Sequence, residues 1–472
     1  LMPCPMNFAT ENLVFDPQII RRFDVNGPRY TSYPTADRFV EAFDSEAAKL
    51  WLGKRNIGGI SRPLSLYFHI PFCNTICYYC ACNKIITKDH GRSATYLKYL
   101  AKELDIQAAA LEGRDGEHEV IQLHWGGGTP TFLSHDEMRQ LMRETRKHFK
   151  LLDGGEYSIE VDPRKVDTAT VALLGELGFN RMSVGVQDFD ERVQLAVNRV
   201  QSEEETYSVI RDARANGFKS VSVDLIYGLP HQTVMGFNRT IERVLAMDPD
   251  RLSIYNYAHM PSMFKPQRRI NDADLPSADT KLQILALAIK KLTDAGYVFI
   301  GMDHFAKPDD ELAIAQRQGR LHRNFQGYST YADCDMLSFG ISSISKVGPT
   351  YYQNVKTADE YYDRLDSAEL PVFRGIELTA DDILRRSIIQ ALMCHFELSI
   401  ESIESAHLID FRSYFEAELG DMKEMEQAGL LKIDQEWITV LPPGRLLVRI
   451  ISMVFDRYLR AGRQRATYSK VI

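Results

Sequence analysis

The stretch Tyr67-Phe-His-Ile-Pro-Phe-Cys73-Asn-Thr-Ile-Cys77-Tyr-Tyr-Cys80-Ala-Cys82 carries the organisation of this chain. Its first four residues close an apolar run over 64–70 that reads as a strand. After Pro71, four of the seven cysteines fall within ten residues. The Cys-x3-Cys-x2-Cys spacing puts three thiols on one tight loop. Such a loop suits three irons of a [4Fe–4S] cube and leaves the fourth iron to an external ligand. A structural zinc is the alternative. Zinc wants four ligands, usually as two separated pairs. No second pair follows here, although His69 or Cys82 can complete a tetrahedron. Soft thiolates without neighbouring hard oxygen ligands speak against calcium or magnesium.

Working outward, a rhythm of short apolar runs begins at this strand. The runs cover 64–70, 120–125, 157–161, 181–186, 220–225 and 252–257. Between them lie helical patterns near 94–111, 135–149, 167–177, 189–197, 203–215 and 234–246. Leu97, Leu100, Ala101, Leu104, Ala108 and Leu111 share one 3.6-period face. Six strand–helix repeats predict an α/β fold, a partial (β/α)6 barrel of parallel strands. Polar residues follow most strands, at Asn74, Gly126–Thr129, Asp162 and Gln187. Functional groups gather at the C-terminal strand ends of such barrels.

The flanks differ from this core. Residues 1–50 read as a polar N-terminal arm, extended over 27–35 where glycine and prolines bracket it. Residues 51–300 hold the barrel, with a further helix at 278–295 and a strand at 298–302. Residues 303–330 read as a polar loop. The rest, within a 301–472 C-terminal domain, reads as mainly helical, with a hairpin at 430–440 and a last helix at 445–462.

The chain has 472 residues, 44% hydrophobic and 25% charged, with a net charge of -8. That composition predicts a soluble multidomain protein and excludes whole-chain disorder, collagen and coiled coil. The acidic balance disfavours general nucleic-acid binding. No run reaches the roughly eighteen apolar residues of a membrane span. Cys4, Cys334 and Cys394 are scattered. An odd count with one dense cluster is no secreted disulfide framework and points to a reducing, cytoplasmic setting.

A Cys-x3-Cys-x2-Cys loop after the first strand of a βα barrel resembles the radical S-adenosylmethionine (SAM) enzymes. The segments GPRYTSYPT (27–35), YFHIPFCNTICYYCACNK (67–84), HWGGGTPTFL (124–133), IEVDPR (159–164), SVGVQDFD (183–190), VDLIYGLP (223–230), GMDHFA (301–306) and HRNFQGY (322–328) narrow the resemblance. Together, and in order, they resemble the oxygen-independent coproporphyrinogen III oxidase family. The closing Gly-Arg-Leu-Leu-Val-Arg (444–449) also fits.

The resemblance implies a set of roles. Cys73, Cys77 and Cys80 would hold the cluster. Two SAM molecules would bind near it, and reductive cleavage would yield a 5′-deoxyadenosyl radical. Gly127, Gly128 and Thr129 match a SAM amino-group site, and Glu160 matches a contact to the first SAM. Gln187, Arg199 and Asp224 match positions for the second. Tyr67, Tyr79, Ala258 and Ile344 match backbone or apolar cofactor contacts. Tyr67, Glu160 and Cys82 fall at catalytic positions. Without the resemblance each of these has a plainer reading: a turn for the glycines, a solvated strand end for Glu160, and an exposed helical ion pair for Arg199.

The implied reaction converts two propionates of coproporphyrinogen III to the vinyls of protoporphyrinogen IX without O2. An external electron donor and acceptor are implied, with no nucleic acid and no membrane partner. A monomer is expected. A tetracarboxylate substrate on an acidic protein needs local cations. Arg21, Arg22, Arg29 and Arg38 lie in the arm, and 443–472 carries seven Lys or Arg against one acid. Arg29 and Tyr30 are the substrate candidates. Two rivals share the barrel: a haem-binding chaperone and a SAM-dependent methyltransferase. The chaperones usually lack Cys82, lack the arm and carry an HNxxYW-type motif. This chain has Cys82 and the arm and reads HRNFQGY.

Overall fold

The computed structural model describes residues 8–9, 12–55, 62–111, 117–331, 334–462, 468–470 and 472. Cys4 and part of the basic tail, Arg463 and Arg465, lie outside them. Six strands form in the predicted places: β1 (Leu64–Ile70), β2 (His118–Gly127), β3 (Phe149–Val161), β4 (Arg181–Gln187), β5 (Ser220–Tyr227) and β6 (Arg251–Asn256). Each pairs in parallel with the next, so the sheet order follows the chain. Leu66 lies opposite Leu123 and Phe68 opposite Trp125. β1 is buried along nearly its whole length. A strand covered on both faces needs apolar residues at consecutive positions, which is why its pattern does not alternate.

The connecting helices are α1 (Gly91–Ala110), α2 (His135–His148), α3 (Thr168–Glu176), α4 (Glu191–Ala196), α5 (Glu203–Ala215), α6 (Val234–Ala246) and α7 (Ala278–Asp294). Their starts are written in the sequence. Ser134 with Glu137, and Ser202 with Glu205, form reciprocal capping boxes. α1 buries Leu97, Leu100, Leu104 and Ala108, as its periodicity requires, but it also buries Glu103 and Gln107.

The sheet does not stop at residue 300. β7 (Val298–Gly301) and β8 (His304–Ala306) extend it antiparallel beyond β6. The segment read as a polar loop also holds helix α8 (Glu311–Arg317) and a hairpin, β9 (His322–Asn324) with β10 (Gly327–Ser329). These elements are too short to show a period. Beyond β1 the sheet continues through β11 (Asp335–Phe339), parallel to β1, then β12 (Ile344–Val347), β13 (Thr350–Asn354) and β14 (Val372–Glu377). Twelve strands therefore form one sheet, and the 300/301 division falls inside it. Two further helices matter below, α9 (Ala358–Asp366) and α10 (Ala380–His395). From α10 onward helices dominate, with one three-stranded sheet that includes the expected hairpin. The expected last helix is broken. Asp456 accepts the N–H groups of Tyr458 and Leu459 and so starts a separate turn.

The arm is a packed element rather than a polar strap. Phe15, Ile20, Tyr30 and Tyr33 belong to the core. The C-terminal segment grips it: Arg449 donates to the carbonyls of Gly27 and Pro28, and the Tyr30 hydroxyl donates to Asp456 at 3.0 Å. No described helix is long and apolar enough to cross a membrane.

Candidate active site

The cysteine loop leaves β1 at the C-terminal end of the barrel. It is tied from several sides. The Tyr78 N–H donates to Val197 O at 2.9 Å, and Asn198 Nδ2 donates to Ile76 O at 2.7 Å. Lys84 Nζ reaches the Cys80 and Cys82 carbonyls at 3.1 and 3.2 Å. Buried Gln267 donates to the carbonyls of both Tyr79 and Ala258, at 3.1 and 3.2 Å. The loop is thus held by backbone contacts that do not use its thiols.

Cys73, Cys77 and Cys80 line one cavity of 330 Å³. Gly127, Gly128, Thr129, Glu160, Gln187, Arg199 and Asp224 line it too, as does Tyr79. Arg164 and Arg199 each bring a guanidinium nitrogen to 3.8 Å from Cys77 Sγ. Asp162 accepts from both arginines, Arg164 at 2.6 Å and Arg199 at 3.4 Å. Burial pushes the Asp162 carboxyl up, but the two guanidiniums hold it below the ordinary carboxylate value. Cys80 is drawn down to about 6, first by a hydrogen bond from Cys82, with burial opposing and Lys84 assisting. Burial pushes Cys73 up to about 11.

Two buried polar atoms on this cavity have no hydrogen-bond partner among the described residues: Gln187 Oε1 and Arg199 Nε. Buried groups of this kind are rarely left unpaired. Gln187 stands at a register shift between β4 and β5, with φ of 69°. That bulge turns its side chain toward the cavity. Three thiols, two guanidiniums and unpaired polar atoms on one cavity fit an iron–sulfur cluster with a zwitterionic ligand beside it. A single zinc fits less well. His69 Nε2 is committed to Asn83 O at 2.9 Å and Nδ1 to the Tyr67 hydroxyl at 3.1 Å. No three His, Cys, Asp or Glu side chains among the described residues converge as ligands of one ion. A cube, with each thiolate on a different iron, does not need that convergence.

The glycine triplet has a packing reason that the sequence did not reveal. Gly127 has φ of +117°, and a Cβ there would lie 2.8 Å from His69 Nδ1. A Cβ on Gly128 would lie 2.7 Å from the Pro71 backbone. The close approach is between β2 and the root of the cysteine loop. Gly128→Ala is therefore expected to shift the loop and lower stability by about 1–3 kcal/mol. Iron content after reconstitution and the thermal midpoint should both fall; unchanged values would refute this packing role.

Glu160 lies beside the triplet. It accepts the Gly127 N–H at 3.2 Å and pairs with His124 Nε2 at 3.2 Å. Burial pushes its carboxyl up, but His124 and the Gly127 N–H outweigh that and hold it below the ordinary value. The Tyr67 ring stacks on His124, with centroids 5.8 Å apart. Asp224 accepts from Ser183 at 2.7 Å, and burial lifts it to about 6.

A second cavity, of 440 Å³, adjoins the first. Cys82, Gly127, Glu160 and Tyr255 line both. Tyr67, Arg29 and Ile344 line the second alone. Arg29 is paired there with Asp303, which burial pushes up and Arg29 pulls down.

Several expected residues are placed differently. Arg199 is 7% exposed and follows the end of α4, so it is a buried loop residue rather than part of an exposed helical pair. Tyr30 is 1% exposed and bonded to Asp456; it does not line the cavity that Arg29 lines. Ala258 lines neither cavity, and its carbonyl is taken by Gln267. Ile344 faces the second cavity rather than the first. Sequence reasoning missed Arg164, Tyr255 and Gln267. Tyr255 had a signal, because it sits at the C-terminal end of β6. Gln267, in an irregular segment, had none.

Residues 67–244 match the Radical SAM superfamily, and residues 378–447 match the HemN C-terminal domain. An oxygen-independent coproporphyrinogen III oxidase of Pseudomonas aeruginosa is 52% identical over 468 residues, 98% of this chain and 100% of that protein. The chain belongs to the oxygen-independent coproporphyrinogen III oxidase family. The Escherichia coli relative of the same name is 46% identical, over 98% of this chain and all of that one. The solved structure of coproporphyrinogen III oxidase (HemN) from Escherichia coli superposes with a TM-score of 0.90, covering 95% of this chain and 100% of that chain. As a radical SAM oxidoreductase of this family, the chain has a [4Fe–4S] cluster and SAM as its implied cofactors. The superfamily match spans β1 to β5 and the helices between them, the region that supplies every residue lining the 330 Å³ cavity except Tyr255.

Proposed function

We propose that this chain converts coproporphyrinogen III to protoporphyrinogen IX in haem biosynthesis, by oxidative decarboxylation of two propionates without O2. The observation that carries the reading is the shared wall of Cys82, Gly127, Glu160 and Tyr255 between the two cavities. A cofactor in one cavity and a substrate in the other meet across that wall.

When bound, the cluster and SAM supply a 5′-deoxyadenosyl radical able to take a hydrogen atom from a propionate β-carbon. Loss of that hydrogen and then of CO2 leaves a vinyl group, and the remaining electron passes to an external acceptor. This chain's residues do the positioning. Cys73, Cys77 and Cys80 hold the cluster. Arg164 and Arg199 lie against Cys77, each with a guanidinium nitrogen 3.8 Å from its Sγ. Gly127, Gly128, Thr129 and Glu160 receive one SAM, with Glu160 kept ionised to take an ammonium. Gln187, Arg199 and Asp224 receive a second, so that one SAM serves each propionate. Tyr67 and Cys82 border the substrate in the second cavity. The electron donor and acceptor are separate molecules. We place the monomeric chain in the cytoplasm, where clustered thiols stay reduced, and the C-terminal domain boundary near residue 378.

Anaerobic incubation of the reconstituted chain with SAM, a low-potential reductant and coproporphyrinogen III tests the reading. Protoporphyrinogen IX with about two CO2 per substrate is expected from the two propionates lost, each event following SAM-derived radical chemistry. A methylated porphyrinogen, or haem binding without a vinyl product, would replace the reading with one of its rivals.

A further inference from the structure

The HRNFQGY segment folds as the β9–β10 hairpin and places Arg323 in its first strand. Arg323 is 2% exposed. Its backbone is fixed on both sides by Gln390 of α10: the Arg323 N–H donates to Gln390 Oε1 at 3.1 Å, and its carbonyl accepts from Gln390 Nε2 at 2.8 Å. Its guanidinium lies over the Tyr328 ring, 4.8 Å from the centroid, and its Nε donates to the Arg29 carbonyl at 3.3 Å. Buried Nη1 has no hydrogen-bond partner among the described residues. A buried donor of a charged group left unpaired is costly, and water or a ligand can complete it.

Arg323 lines the 440 Å³ cavity, and Arg29 is the other guanidinium there among the described residues. The two are not equivalent. Asp303 cancels the charge of Arg29, whereas no ion pair is recorded for Arg323 among the described residues. A neutral ligand group or a water can satisfy the free N–H, but only an anion also meets the charge. His304, on the same cavity, has a second buried unpaired atom, Nδ1. It is the neutral kind of partner, since burial first, and then the Arg323 charge, pull its pKa down to about 3.

We propose that Arg323 binds a propionate carboxylate of the substrate and thereby sets this cavity's preference for a polycarboxylate. The inference rests on the coproporphyrinogen III reading above. The rigid seat on Gln390 and Tyr328 pre-orders the guanidinium, so binding costs little side-chain entropy. The role explains why the hairpin between β8 and β11 carries its arginine inward.

The test uses the cluster-loaded full chain with Arg323→Gln and Arg323→Lys. KM and kcat are measured with coproporphyrinogen III. Affinities for coproporphyrin III and for its tetramethyl ester are measured by fluorescence quenching. Arg323→Gln is expected to raise KM by roughly tenfold to a hundredfold, as for a lost charge-assisted contact, with kcat changed less than about threefold. Its preference for the acid over the ester should fall by a similar factor. Arg323→Lys, which keeps the charge and loses the planar fork, is expected to lie between, with KM raised about threefold to tenfold. Iron content and SAM binding should stay as in the unmutated chain. An unmoved KM, or equal weakening of acid and ester, would overturn the assignment. If Arg323→Gln fails to hold its iron, the lysine variant decides, and an unmutated KM there overturns it. Failure of the unmutated chain to convert coproporphyrinogen III would instead sink the functional reading, and this inference with it.

Discussion

A Cys77→Ala chain is expected to come out of reconstitution with less than about one iron, where the unmutated chain holds about four. SAM cleavage should then fall below detection, a loss of more than about a thousandfold. The physical case rests on where Cys77 sits. It is the middle thiol of the loop, and two guanidiniums face it at 3.8 Å. Asp162 anchors both arginines. Alanine leaves two thiols to hold the cube and two cations with no thiolate to face. The backbone ties of the loop do not involve Sγ, so the loop itself should persist, and far-ultraviolet circular dichroism should be unchanged. Cys82→Ser is the contrasting variant. Cys82 lines both cavities and is not needed to complete three thiolates, so that chain should keep about four irons while losing turnover. A Cys77→Ala chain that retains four irons would remove the basis of the mechanism.

The largest stability effect is expected far from the chemistry, at Glu103. This carboxyl group is fully buried on α1. Four donors converge on it: Gly340 N at 2.8 Å, Asn354 Nδ2 at 2.7 Å, Gln107 Nε2 at 3.1 Å and the Tyr361 hydroxyl. They come from the end of β11, from β13, from α1 itself and from α9. Glu103 therefore clips the outer strands to the barrel. Glu103→Ala leaves buried donors unpaired and is expected to cost about 3–5 kcal/mol. Burial pushes the Glu103 carboxyl up to about 7, against the pull of its hydrogen bonds. The folded value is thus above the unfolded one. The native chain holds the proton while the unfolded chain has already lost it, so the contribution is complete below about pH 4.5 and fades as pH rises to about 7. The fade amounts to about 3 kcal/mol across that window. Buried His304, drawn down to about 3, contributes the opposite slope over part of this range, so the comparison decides: from pH 5 to 7.5, measured anaerobically, the difference in thermal midpoint between the unmutated chain and Glu103→Ala should shrink as pH rises. Identical slopes in the two chains would refute the assignment.

Much of this molecule was legible before any fold was seen. Strand periodicity and capping residues are local signals, and all six barrel strands and their helices form over the places those signals give, although β3 begins at Phe149, eight residues ahead of its predicted start at 157. The cysteine spacing is equally local, which is why three thiols on one cavity were foreseeable. The errors share a cause. Arg199 reads as a helical surface residue because its burial comes from β3 and β4 and from the cysteine loop, none of them near it in sequence. Tyr30 reads as a cavity residue because only the C-terminal segment, over four hundred residues away, supplies the Asp456 that its hydroxyl meets. The division at residue 300 failed because β11 pairs with β1, a contact across some 270 residues that no window of sequence contains.

Local chemistry thus dictated the βα repeat, the spacing of the cysteine loop and the family, since each depends on residues within a turn or a strand of one another. Folding dictated which polar groups face a cavity and which are spent. Gly128 is required by Pro71, Arg29 is neutralised by Asp303, and Arg323 on the second cavity keeps its Nη1 without a partner among the described residues. Those outcomes depend on electrostatic and steric partners brought together from distant parts of the chain, and pairing at short range is what sets the sign and size of both terms.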